Sequence, residues 1–132
     1  MNVPLLHPSL CQVPPGWSIQ RLRTLLVLNS GGAWGEEVVE GGTIVLRSTV
    51  QSFDGVWNIT DPARCLLTSS QRDEALLRAG DLVITKSSGS SLHIGKTTIV
   101  TAEIESLHCC FSNFMQRLRV NHLVLCHTSN DL

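Results

Sequence analysis

The chain has 132 residues, of which 42% are hydrophobic and only 16% charged. That balance excludes intrinsic disorder and fits one core at a size that buries roughly 70% of the unfolded surface. Ten Lys and Arg stand against eleven Asp and Glu for a formal charge of -1, which excludes a module that holds nucleic acid mainly by net positive charge.

Residues 1–16 carry four of the five prolines and read as a lead-in, followed by a domain over 17–126 and a tail over 127–132. The N-terminus has no basic n-region, and Pro4, Pro8, Pro14 and Pro15 break its apolar stretches, unlike a signal peptide. No run approaches about 18 consecutive apolar residues, so no membrane span is expected and the location is expected to be cytoplasmic. From Ile19, the residues Leu22, Leu25, Leu26 and Leu28 recur at helical spacing, with Ser18 as N-cap and Gly31–Gly32 as terminator. The β-branched Val27 leaves a strand open at that end. Thr43–Val50 is β-branched and apolar between Gly41–Gly42 and Asp54–Gly55, which predicts a buried strand.

After a short run over Val56–Ile59, Ser69 or Ser70 caps a brief helix reaching Arg78, with Gly80 at the C′ position. Asp81–Lys86 and Thr97–Ile104 read as strands joined by a loop over Ser87–Gly95, and Leu107–Phe114 and Leu118–Leu125 read as two more. The sum is an α+β domain of short strands, in a twisted sheet or partial barrel with one or two short helices.

Gly89 to Thr97 ends in Gly-Lys-Thr, but five residues separate Gly89 from Gly95 where a P-loop has four, and Thr97–Val100 favour a strand over the required helix. Cys11, Cys65, Cys109, Cys110 and Cys126 form no Cys-x-x-Cys pair and read as reduced, buried thiols. His108, Cys109, Cys110, His122, Cys126 and His127 lack zinc-ligand spacing, and adjacent strand residues point to opposite faces, so no metal site is expected. Asp81 at a strand entrance reads as a turn carboxylate. No nucleophile elbow or paired-carboxylate motif is present, so neither a catalytic residue nor a cofactor is called for.

What remains is a set of polar loops beside strands: Arg47, Ser48 and Thr49; Lys86, Ser87, Ser88, Ser90, Ser91 and Lys96; and Asn113, Gln116, Arg117 and Arg119. Such side chains contact phosphates and read base edges, Arg by forking onto guanine and Asn or Gln onto adenine. Arg47 has a second reading as the ion-pair partner of Glu36, Glu37 or Glu40, and Arg117 and Arg119 share that ambiguity. Trp17, Trp34 and Trp57 read as core or loop anchors.

The order of features over about Pro14 to Val120 resembles the target recognition domain of type I restriction-modification specificity subunits. The residues that carry it are Gly16–Trp17, Gly-Gly-Ala-Trp-Gly at 31–35, VLRST at 45–49, LRAGDLVITKSSGS at 77–90, HIGKTTIV at 93–100 and FSNFMQRLR at 111–119. The resemblance implies a double-stranded DNA reader with no chemistry of its own, serving methyltransferase and restriction subunits. In that family two recognition domains, separated by long helices, select the halves of a split site. The chain has neither the helices nor a second domain, so a homodimer or a second recognition domain would supply the other half. The alternative is a degenerate recognition domain that acts only as a protein-interaction module.

Overall fold

A computed structural model describes residues 13–121. Among them a one-turn helix α1 (Leu22–Leu25) leads into β1 (Leu26–Gly31), β2 (Glu36–Glu37) and β3 (Thr43–Leu46), then β4 (Ala63–Leu66) and helix α2 (Ser69–Ala75). The chain continues through β5 (Leu82–Thr85), β6 (Thr97–Ile99), a one-turn α3 (Ala102–Glu105), β7 (Cys110–Phe111) and β8 (Met115–Val120). The strands form two four-stranded sheets, ordered β1-β8-β5-β6 and β2-β4-β3-β7, so the α+β class holds.

Asp81–Lys86 forms its strand nearly as read, pairing antiparallel with β6 through Val83↔Thr98 and with β8 through Val83↔Arg117. The helix expected over 19–28 is confined to one turn, whose N-cap is Arg21 with no side-chain cap bond, and Ser18 caps nothing there. Leu26 onward is instead drawn into β1 by antiparallel pairing with β8, about 90 residues away in sequence, and tertiary pairing outweighs a weak local preference. Exposure along β1 alternates with period two, as a half-buried strand requires.

Other boundaries move for local reasons. β3 stops at Leu46, and Ser48–Val50 form a 3-10 turn. β6 stops at Ile99 because Thr101 N-caps α3, its side chain accepting from Ile104 N at 3.3 Å. The strand expected over Leu107–Phe114 is reduced to β7, since His108 sits at φ 51° and Ser112–Met115 close a turn. β8 begins three residues before the expected Leu118. Helix α2 is capped by Thr68 rather than Ser69 or Ser70, in a reciprocal box with Gln71 at 3.0 and 3.1 Å. β2 and β4 have no counterpart in the sequence reading. Cys11, His122, Cys126, His127, the end of the last expected strand and the tail lie outside the described residues.

The core gathers Val45, Leu46, Cys65, Leu77, Val83, Val100, Phe111 and Met115 between the sheets. Trp34 and Trp57 pack against it, and Trp57 donates its indole N–H to Ile99 O at 3.0 Å, whereas Trp17 is 73% exposed. The β7–β8 turn ties the sheets together: Ser112 N donates to Leu46 O and Ala33 N to Phe111 O, both at 2.9 Å. Gln51 adds a buried link, donating to Val83 O at 2.9 Å while accepting from Thr85 Oγ1 at 2.6 Å.

Candidate functional site

The topology sets the position of most polar candidates. β3 and β7 run parallel, and the chain turns at 112–114 into β8, which is antiparallel to both β1 and β5. The C-terminal ends of β1, β3, β5 and β7 and the N-terminal ends of β6 and β8 therefore meet on one rim. Arg47, Ser48 and Thr49 leave β3 there, Asn113 sits in the turn, Gln116 lies one residue into β8, and the loop carrying Lys86, Ser87, Ser88, Ser90, Ser91 and Lys96 joins β5 to β6 there. Phe114 O fastens that loop by accepting from Lys86 N at 3.1 Å and Ser87 N at 3.2 Å.

On the outer face at this rim, Lys86 Nζ donates to Gln116 Oε1 at 3.1 Å, and Gln116 Nε2 donates to Asn29 Oδ1 at 2.6 Å. Asn29 and Lys86 are both exposed. Gly31 makes room for the ammonium, since a Cβ there would sit 3.2 Å from Lys86 Nζ. Gly32 is required by close approach: its Cβ would fall 2.2 Å from Phe111 O and 2.3 Å from Ser112 O.

The other two rim cations are held differently. Lys96 Nζ donates to Ser48 O at 2.9 Å and Gln51 O at 3.0 Å, and lies 5.2 Å from the centre of the Phe53 ring. It ties the 3-10 turn to the β5–β6 loop, and two of its three N–H groups are spent on carbonyls. Arg47 is exposed, with a loose contact to Glu37 at 3.8 Å and its guanidinium 5.8 Å from the Trp34 ring centre. The Glu37 pairing is one that sequence reading left open, and an exposed pair of that length restrains the side chain little.

Arg117 and Arg119 do not join the rim surface. They project from the other face of β8, between the sheets, and both reach Asp81. Arg117 is 2% exposed and is enclosed by acceptors: Ser30 Oγ at 3.0 Å, Leu76 O at 2.7 Å, Glu74 O at 2.6 Å and Asp81 at 3.5 Å. Arg119 grips Asp81 with Nε at 2.7 Å and Nη2 at 2.9 Å. Burial lowers the Arg117 guanidinium pKa against the pull of Asp81, while the Asp81 hydrogen bond raises that of Arg119. Reading Arg117 as a side chain that reaches a base edge is therefore corrected: its donors are consumed inside the fold. Arg119 is corrected likewise to a partner of Asp81. Asp81 also accepts from Arg78 N at 2.9 Å, as a turn carboxylate does.

Beside these arginines a cleft of about 340 Å³ is walled by Leu28, Ser30, Asp73, Glu74, Leu76 and Arg78. Arg78, Arg117 and Arg119 share that cleft with Asp73 and Glu74, and Arg117 and Arg119 pair with Asp81. Cys65, Cys109 and Cys110 are free, buried thiols. No group of three or more His, Cys, Asp or Glu is placed to hold a metal ion among the described residues, and none of their helices is long and apolar enough to cross a membrane.

Asn29 is the rim residue that sequence reading missed. It lay just past the expected helix, before the Gly31–Gly32 terminator, and its significance comes from a partner 87 residues away. Phe53 was also passed over, although Asp54–Gly55 marks it as a turn neighbour; it is 68% exposed and stacks on His93 with ring centres 5.3 Å apart. Neither protein-family models nor curated proteins yield a match to this chain.

Proposed function

We propose that this chain is a sequence-specific double-stranded DNA recognition domain, working as part of the specificity subunit of a type I restriction-modification system. It makes and breaks no bonds; methylation and cleavage belong to partner subunits. The observation that carries the reading is the meeting of strand ends on one rim, which brings Asn29 and Gln116, on β1 and β8, together with Arg47, Lys86 and Asn113 in the segments that directly follow β3, β5 and β7. Side chains anchored on strands or directly beside strand ends bind with less ordering cost than the same groups far along a mobile loop.

In this reading Arg47 and Lys86 carry phosphate charge and the amides read base edges. A net charge of -1 and two to four phosphate contacts give weak binding by one isolated copy. A second recognition domain or a homodimer raises the effective concentration to a useful level. Exposed Phe53, Leu92 and Ile94 on neighbouring loops favour a second reading, a protein-interaction module without DNA.

Fluorescence anisotropy with random-sequence duplexes over a salt series separates the two. DNA recognition predicts log K falling with log salt at about -0.9 for each phosphate contacted. No binding at low salt, or binding indifferent to salt, contradicts it.

A further inference from the structure

The chain of hydrogen bonds from Lys86 through Gln116 to Asn29 has a fixed polarity. An ammonium can only donate, so the Gln116 atom that Lys86 meets at 3.1 Å is the carbonyl Oε1. The amide nitrogen of Gln116 must then face Asn29, and at 2.6 Å it must meet Oδ1. Asn29 is exposed, one of its two oxygen lone pairs is already used, and among the described residues its Nδ2 meets no acceptor. Flipping either amide would set donor against donor or oxygen against oxygen. The lysine thus sets the orientation of an amide it does not touch.

At the other end of the Gln116 amide, the Lys86 ammonium keeps two further N–H groups for which the described residues show no acceptor. The exposed part of the cluster is therefore rich in donors and poor in acceptors. A base edge that complements it must offer acceptors rather than donors. In the major groove guanine presents N7 and O6 side by side, whereas cytosine presents an amino donor and adenine an acceptor beside a donor.

We infer that Asn29 is a specificity-determining residue, held by Gln116 and Lys86 in the donor orientation, and that the cluster selects guanine at one position of the site. This inference rests on the DNA-recognition reading and adds the base to it. Asn29→Asp is the informative change, because the variant carboxylate still accepts from Gln116 but has no N–H to offer.

The test is selection from a random-sequence duplex library at low salt with the wild-type chain, Asn29→Asp and Asn29→Ser. Asn29 is exposed, and thermal unfolding checks that each variant is folded. The expected result is guanine at one position in wild-type sites with a preference of about ten-fold. That preference should move to cytosine or adenine for Asn29→Asp and fade for Asn29→Ser, with the remaining positions unchanged. Salt-sensitive binding with the same base preferred by all three proteins overturns the role of Asn29 and leaves DNA recognition standing. Absence of salt-sensitive binding by the wild type overturns both.

Discussion

Asp81 and Arg119 meet in a two-toothed contact, Nε to Oδ1 at 2.7 Å and Nη2 to Oδ2 at 2.9 Å, with the carboxylate fully buried. Arg117 closes on the same carboxylate from within β8 at 3.5 Å. Two guanidiniums therefore depend on one acid, and removing that acid strands buried positive charge. Asp81→Asn keeps the shape and one acceptor but not the charge. Its unfolding free energy in urea should drop by about 3–5 kcal/mol, the cost of breaking a buried pair from one side. A loss below about 1 kcal/mol would show that the arginines find other partners.

The two rim cations Lys96 and Arg47 should separate in their effects. Lys96→Ala removes the donor for Ser48 O and Gln51 O and should lower stability by about 1.5–3 kcal/mol, as charged hydrogen bonds do. Arg47→Ala should leave stability within about 0.5 kcal/mol and lessen the salt slope of DNA binding by about one. Urea titration together with the anisotropy salt series reads both quantities.

Gly32→Ala should be the costlier of the two glycine changes on the rim. A methyl group there meets two backbone carbonyls that also hold Ala33 N and the β7–β8 turn, so the sheets must shift at their junction. The expected loss is about 2 kcal/mol or more in thermal or urea unfolding. Gly31→Ala meets the flexible end of Lys86 at 3.2 Å and Gln116 Oε1 at an ordinary 3.8 Å, and should alter DNA binding more than stability.

Cys109 and Cys110 make the fold sensitive to alkali. Burial pushes both thiols from an ordinary 9.0 up to about 11, so the native state keeps protons that the unfolded chain releases sooner. The stabilisation is complete below pH 9 and is lost as pH rises through 11. Urea midpoints from pH 8 to 11 should fall, and fall less for Cys109→Ala than for the wild type. At pH 8, pulsed alkylation should spare Cys65, Cys109 and Cys110 until urea unfolds the chain.

Legibility in the sequence followed the range of the interactions. Asp81–Lys86 could be read because β-branched and apolar residues between Gly80 and a polar loop specify a strand locally. β1 was legible only as an alternative left open by the β-branched Val27, because Leu22, Leu25 and Leu26 fit a helical stripe and the pairing with β8 decides between the two. Arg117 and Asn113 looked alike as polar residues near a turn, yet one is walled in by Glu74, Leu76 and Asp81 and the other faces solvent. Ser30, Asn29 and Gln116 acquire their partners only across the β1–β8 register, which no local pattern encodes.

The central claim is that the rim, and no other face, meets DNA. The most direct measurement is a set of 1H–15N spectra of the labelled chain with a duplex carrying its selected site, at low salt. Shifts are predicted at Gly31, Arg47, Lys86 to Ser91, Asn113 and Gln116, with Asp73, Asp81 and Glu105 unmoved. Shifts centred on those acidic residues, or spectra unchanged at saturating duplex, would contradict the account.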